Sequence, residues 1–359
     1  MRANLCLLQE VYPKNYRYAR GTHFFIHTFF KEKSMRTILI ALMIIAAVAV
    51  PAGAIEILLP GYTVETYATY SDSVGTTPFH MTFDGRGNLY SLNSSGIIWR
   101  ITPSKVASQF ASGFAGYTSL TWGGGSAFGD NLYVGGPQII KLAMDGTPTF
   151  FANHDSVSSL AIDKKGNYGG FLYAGTGSYD DFHKIDTSGN IYSFSNWPGS
   201  TNGGEPDGLA FDPGTAFDGA LYVGTNYLQN NASKSGLFKM DTSGVPTRFS
   251  SNLVQAWDIA FDNTGHLGGK LFVGGRTDYQ MTGGIYMVDV DGTATRFANM
   301  SPLLGLGMAF GPDGALYLTE YSSSNSMYTI LRVTPEPATL LLLGLGSVMV
   351  RRKTQFLSV

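Results

Sequence analysis

EPDGLAFDPGTAFDGALYVGT, residues 205–225, carries the unit on which the fold turns. A short apolar segment ends in Phe-Asp, a Gly-rich turn follows, and a second apolar segment runs Leu-Tyr-Val-Gly. Both segments are rich in aromatic and β-branched residues and bounded by Gly, Pro and Asp, which predicts two strands joined as a hairpin. The first strand recurs as HMTFD, LTWG, LAID, LAFD, IAFD and MAFG. The Leu of the second falls at Leu89, Leu132, Leu172, Leu221, Leu271 and Leu316, at spacings of 43, 40, 49, 50 and 45 residues. Repeats of that length signal propellers or solenoids. A third strand follows each pair (IIWRI, IIKL, FHKI, LFKM, IYMV, TILRV). Turns such as Asp186-Thr-Ser-Gly, Asp241-Thr-Ser-Gly and Asp291-Gly come next. A fourth strand then ends near Phe110, Phe151, Phe194, Phe249 or Phe297.

The sixth unit stops after its third strand at Val333. Residues 61–70, GYTVETYATY, resemble the fourth strands GVPTRFSS and GTATRFAN and precede the first complete unit. A fourth strand supplied from the N-terminal side closes a ring and removes the sheet edges that an open stack leaves. The expectation is an all-β chain: a six-bladed β-propeller of four-stranded blades with an N-terminal closing strand. A right-handed β-helix is the competing reading of Gly-rich strand repeats, but its coils are shorter. Over 61–334 the repeats resemble those of NHL-type and SMP-30/gluconolactonase-type (TolB-like) propellers, with 205–212 the nearest single piece.

Of 359 residues, 45 are Gly and only 14% are charged, against about 25% charged in ordinary globular chains. Residues 1–54 and 335–359 are basic. The stretch 55–334 keeps 14 Lys/Arg and 23 Asp/Glu, a net charge of −9. An acidic body without a basic stripe argues against nucleic acid as a partner. Cys6 is the one cysteine and lies in the leader, which excludes internal disulfides and thiolate chemistry from the body.

Both ends read as addresses. Residues 35–54 form a signal peptide: Lys31, Lys33 and Arg36 supply positive charge, Ile38 to Val50 the apolar run, and Ala52-Gly53-Ala54 the cleavage site. Cleavage leaves Ile55 first and 55–334 as the propeller. Residues 1–34 precede a complete signal that starts at Met35, and read as a mis-assigned start or a long leader. At the other end Pro335-Glu336-Pro337 precedes an apolar stretch, Ala338 to Val350, and then Arg351, Arg352 and Lys353. That order resembles the PEP-CTERM sorting signal of Gram-negative bacteria, over residues 335–359. The resemblance implies export, a short membrane-sorting helix and an exosortase as partner, with the cell surface or exopolysaccharide as destination. Thirteen apolar residues span only about 20 Å of helix, short of a hydrocarbon core of about 30 Å.

Counting back from the Phe-Asp turn gives the residues at one mouth of the ring. Five back stand Phe79, Thr118, Ser158, Asp207, Trp257 and Leu306; four back stand His80, Ser119, Ser159, Gly208, Asp258 and Gly307. In SMP-30-like lactonases this ring holds a divalent metal through a Glu, an Asn and an Asp. Asp207 matches the Asp, whereas Phe79 and Ser158 occupy the Glu and Asn positions, and Ca²⁺ asks for six to eight oxygens. Asp84, Asp163, Asp212 and Asp262 repeat once per unit and read as turn caps on the opposite face. The loops between second and third strands carry Tyr179, Tyr227, Tyr279 and Tyr321 beside Asn, Asp and Ser, a composition suited to carbohydrate or peptide contact. Asp180, Asp181 and His183 form a small metal-capable cluster there.

These readings lead to an exported binding or scaffolding propeller with no cofactor, whose ligand candidates are His80, Asp207, Trp257, Asp258 and the four loop tyrosines. The alternative is an extracytoplasmic SMP-30/gluconolactonase-like hydrolase with Ca²⁺ or another divalent metal at Asp207.

Overall fold

The computed structural model describes residues 55–71, 78–177, 181–196, 204–226, 235–278, 283–300, 307–322 and 327–336. The chain divides into two units, Met1–Ala52 and Gly53–Val359, and every described residue lies in the second. Residues 1–54, where a leader and signal peptide are expected, and the apolar stretch 338–350 fall outside the described residues. Among the described residues no helix is long and apolar enough to cross a membrane.

Two strands precede the first blade, β1 (Glu56–Ile57) and β2 (Tyr62–Ser71). Blade one is β3 (Pro78–Phe83), β4 (Leu89–Asn93), β5 (Ile98–Ile101) and β6 (Ala107–Ala111). Blade two is β7 (Ser119–Trp122), β8 (Leu132–Gly135), β9 (Ile139–Leu142) and β10 (Pro148–Ala152). Blade three is β11 (Val157–Ile162), β12 (Leu172–Thr176), β13 (Asp181–Ile185) and β14 (Ile191–Asn196). Blade four is β15 (Glu205–Phe211), β16 (Leu221–Asn226), β17 (Gly236–Met240) and β18 (Pro246–Arg248). Blade five is β19 (Gln255–Phe261), β20 (Leu271–Arg276), β21 (Gly284–Val288) and β22 (Ala294–Asn299). Blade six is β23 (Met308–Phe310), β24 (Leu316–Ser322) and β25 (Met327–Pro335), with β2 as its fourth strand.

The expected closure is present. β2 pairs antiparallel with β25 from Tyr62↔Pro335 to Ser71↔Met327, so the start and end of the propeller share one sheet. One strand was not legible in the sequence. β1 adds to the outer edge of blade five, Glu56↔Asn299 and Ile57↔Ala298, making that sheet five-stranded. Two residues give no periodic signal, yet they cover an edge that is otherwise open.

The Leu-Tyr pair explains the packing. Alternation sends the two side chains to opposite faces of each second strand, and both are buried in every blade. The aromatic of that pair meets an aromatic in its own fourth strand, or in blade four the residue just after it, edge to face. The pairs are Tyr90–Phe110, Tyr133–Phe151, Tyr173–Phe194, Tyr222–Phe249, Phe272–Phe297 and Tyr317–Tyr67, at 4.8–5.2 Å between centroids. Phe110, Phe151, Phe194, Phe297 and Tyr67 are each the extra residue of a β-bulge. A bulge turns a side chain that would otherwise follow the pleat, and here it turns the ring inward. Tyr67 therefore fills in blade six the slot that Phe fills elsewhere.

Two turns repeat from blade to blade, one capped by its own Asp and one set against the previous blade. Asp163 accepts the N–H groups of Gly166, Tyr168 and Gly170 at 2.6–2.9 Å. Asp262 takes those of Gly265, Leu267 and Gly269 at 2.7–2.9 Å. Asp84 and Asp212 cap their own turns similarly, as the turn-cap reading expects. The turn between third and fourth strands abuts the previous blade. At Gly244, with φ at +83°, a Cβ would overlap the carbonyl oxygen of Phe194. That is why Asp241-Thr-Ser-Gly ends in Gly.

Candidate functional site

The register places a bulge at the top of the innermost strand in four blades. Pairing skips one residue between Pro78 and His80, Val157 and Ser159, Pro206 and Gly208, and Ala256 and Asp258. The skipped residues are Phe79, Ser158, Asp207 and Trp257, all at the five-back position. Four of the six mouth positions found by counting are thus bulged residues, a device that re-aims side chains at sheet ends.

Much of that ring is spent holding blades together. Thr118 Oγ1 donates to the Val157 carbonyl at 3.1 Å. Ser158 and Ser159 both donate to the Pro206 carbonyl, at 2.8 and 2.5 Å. Asp258 is buried, and its two oxygens accept the N–H groups of Ile259 at 2.8 Å and of Met308 in blade six at 2.7 Å. Burial pushes its carboxyl up to about 7 against those two hydrogen bonds. A Cβ on Gly208 would reach 2.8 Å from the Trp257 carbonyl oxygen. These four-back positions are small, hydroxylated or hydrogen-bonded because the next blade lies against them. His80 is half-buried, and burial pushes its imidazole down to about 4, so it is neutral at pH 7.

Asp207 differs. Burial, then the charge of Glu205, push its carboxyl up to about 7, while the side-chain amide of Asn226 hydrogen-bonds to it and opposes the rise. Glu205 and Asn226 face each other across β15 and β16, and the Asn226 Oδ1 is buried without a hydrogen-bond partner. One blade further on, the Arg276 guanidinium carbon lies 5.0 Å from the centre of the Trp257 ring, an amphipathic cation–π pair. Glu205 opens the 205–212 motif without being marked as a site residue, and neither Asn226 nor Arg276 stands out by motif. The hairpin register exposes them, since the last residue of each second strand opposes the first of the innermost strand. Glu205↔Asn226 and Gln255↔Arg276 are both such pairs.

Among the described residues no three His, Cys, Asp or Glu side chains gather as a metal site. Asp207, Glu205 and Asn226 bring three oxygen-bearing side chains to one mouth, and a Ca²⁺ held there would draw the rest of its six to eight oxygens from waters or backbone carbonyls. His183 stacks edge to face on His154 at 4.7 Å. Tyr179, Asp180, Tyr227 and Tyr279 lie outside the described residues, as do Leu306 and the side chains of Phe79, Asp181 and Tyr321. At the opposite end of the ring axis a cavity of about 560 Å³ is walled by Phe83, Trp122, Phe261 and Phe310, with Lys164 at its rim.

Residues 333–353 match the family model of the PEP-CTERM protein-sorting motif. The chain carries a PEP-CTERM sorting motif. In the described part of the motif, Val333 to Pro335 end β25, and the Glu336 N–H donates to the Gly61 carbonyl at 2.8 Å. The PEP-CTERM motif marks an exported protein handled by an exosortase and anchored at the membrane. Its Pro337, Arg351, Arg352 and Lys353 lie outside the described residues.

No curated protein matches the sequence. Solved structures match the fold. A Trichoderma reesei protein of carbohydrate-active enzyme family AA12, in its calcium structure, aligns with TM-score 0.54 at 11% identity, covering 80% of this chain and 99% of that one. The holo pyranose dehydrogenase PQQ domain of Coprinopsis cinerea aligns with TM-score 0.53 at 9% identity, covering 80% and 98%. Regucalcin from Agrobacterium tumefaciens, a calcium-binding protein, aligns with TM-score 0.48 at 12% identity, covering 75% and 96%. At such identities the likeness is one of architecture, and propellers of one architecture host many chemistries.

Proposed function

We propose that this PEP-CTERM protein is a non-catalytic binding or scaffolding propeller, delivered to the cell surface or extracellular matrix. The sorting motif at 333–353 is the observation that carries the reading. The mouth adds support: Thr118, Ser158, Ser159 and Asp258 are engaged by neighbouring blades. Asp207, Glu205, Asn226, Trp257 and Arg276 are the groups the mouth offers to a ligand. A carboxyl with a raised pKa, a second carboxylate, an amide and an aromatic face suit a polyhydroxylated ligand such as exopolysaccharide, which offers hydroxyl donors and apolar ring faces. Export runs through the signal peptide at 35–54, and Arg351, Arg352 and Lys353 hold the tail on the cytoplasmic side until an exosortase acts.

The test has two arms. Cells carrying the full chain, a truncation after Glu336, or Arg351/Arg352/Lys353→Ala are fractionated with and without the exosortase. Full-length protein should accumulate in membranes when the exosortase is absent and be shortened when it is present. Recovery of the untruncated chain from the cytoplasm would refute the address. A glycan array on the exported protein, with Trp257→Ala and Asp207→Asn as controls, reads the binding role. Calorimetric Ca²⁺ binding lost in Asp207→Ala would instead favour the extracytoplasmic lactonase-like hydrolase.

A further inference from the structure

Ile55 is the residue that the signal-peptide reading places first in the mature chain, and it does not trail into solvent. It is 6% exposed and sits among Phe272, Ile285 and Phe297 of blade five and Leu316, Leu318 and Leu331 of blade six. The ladder of β1 on β22 fixes it there. The Asn299 amide donates to the Glu56 carboxylate at 2.8 Å, and the Leu58 N–H to the Phe297 carbonyl at 2.8 Å. Its own backbone N–H hydrogen-bonds to the carboxylate of Glu320 on β24.

Glu320 is poorly served by that single neutral donor. Its Oε1 is buried without a hydrogen-bond partner. Among the described ion pairs none involves Glu320. Glu320 is half-buried; a carboxylate offers about four acceptor sites, and leaving its buried oxygen without a donor is costly. In keeping with this, burial raises its pKa and the Ile55 N–H only partly opposes the rise. An amide supplies one donor and no charge. An α-ammonium at the same nitrogen supplies three donors and a positive charge.

We infer that cleavage between Ala54 and Ile55 creates a docking group: the α-ammonium of Ile55 pairs with Glu320 and fastens the seam between blades five and six. Hydrolysis adds water across the Ala54–Ile55 amide. The hydroxyl goes to the Ala54 carbonyl carbon, a proton to the Ile55 nitrogen, and the freed amine takes a further proton from solvent. The cut is made on the emerging chain, so burial of Ile55 in the finished fold does not obstruct it. Processing and folding are thereby coupled. The precursor holds Glu320 with one amide, whereas the mature chain neutralises it and completes its hydrogen bonds. The inference rests on the export reading and is independent of any ligand.

The experiment uses protein exported by cells expressing the full chain. Three forms are compared: wild type, an insertion of Gly-Ser between Ala54 and Ile55 that keeps the cleavage site but displaces the ammonium, and Glu320→Gln. N-terminal sequencing should find Ile55 first in the wild type. The wild-type α-amine should be reductively methylated at least about tenfold more slowly than that of the insertion form, since a pairing worth about 1.4 kcal/mol is a factor of ten. The insertion should lower Tm by about 4 °C or more, and on the Glu320→Gln background it should lower it no further. An N-terminus other than Ile55 overturns the inference while leaving export intact. Equal methylation rates with equal melting temperatures overturn it outright, and those two measurements decide without Glu320→Gln should that variant not accumulate.

Discussion

Replacing Tyr67 by Ala tests whether ring closure is held by the aromatic slot or by backbone pairing alone. The side chain is 7% exposed, its ring meets Tyr317 edge to face at 4.9 Å, and its hydroxyl donates to the Thr102 carbonyl at 3.1 Å. It thus touches blade six from within and blade one across the seam. Truncating a buried aromatic to Ala costs about 3–5 kcal/mol. In a body of this size each kcal/mol moves Tm by roughly 2–3 °C, so a fall of about 6–15 °C is expected. Tyr67→Phe removes the hydrogen bond and keeps the ring, at about 1 kcal/mol. Val64→Ala, in the same strand but 39% exposed, should stay within about 0.5 kcal/mol. Scanning calorimetry on the three exported variants should rank Tyr67→Ala as the most destabilised, Tyr67→Phe next and Val64→Ala last. A Tyr67→Ala shift no larger than that of Val64→Ala would mean that the ladder alone closes the ring.

Deleting residues 55–71 strips β1 and β2 together, so β25 becomes an open edge and the protein should aggregate on purification; light scattering reads this, and an unchanged monomer with unchanged Tm contradicts it. Gly244→Ala places a Cβ against the Phe194 carbonyl, whereas Gly265→Ala at φ +78° meets nothing within 4 Å. The second should cost only the left-handed strain of about 1–2 kcal/mol, and the first clearly more, as denaturant midpoints will show. Asp207 has its folded-state pKa raised to about 7, above the unfolded value of about 3.9. Its contribution to stability is therefore full below about pH 4 and is lost as pH rises through about 7. Asp207→Asn should flatten the fall in Tm between about pH 4 and pH 7, and an identical pH profile in wild type and variant counts against the raised pKa.

The ring was legible because its unit is repeated: one Leu per blade sets the count, and the resemblance of 61–70 to a fourth strand supplies the closure. Bulges were not legible, since a bulge is defined by what lies across the ladder. Counting from the Phe-Asp turn nevertheless reached Asp207 and Trp257, because the count is constant where the bulge is. Asn226 and Arg276 escaped because strand-end residues carry no periodic mark, and Glu205 because the motif it opens does not say what faces it; their convergence is a property of register. Asp258 reads in sequence as a mouth residue, yet its carboxylate is committed to Met308 of the next blade. No local pattern distinguishes a carboxylate that faces a cavity from one that faces a neighbouring backbone. Two-residue β1 lies below the length at which alternation can be seen.

The sorting tail leaves the propeller from the end of β25, and that strand lies between β24 and β2, bonded to both. A pull on the tail along the strand loads the ladders on its two sides together, in shear, and the Glu336 bond to Gly61 is the first to feel it. An edge strand would peel one bond at a time. Until the tail is removed, tension on it is therefore carried by a strand paired on both sides, at the same seam that completes the ring.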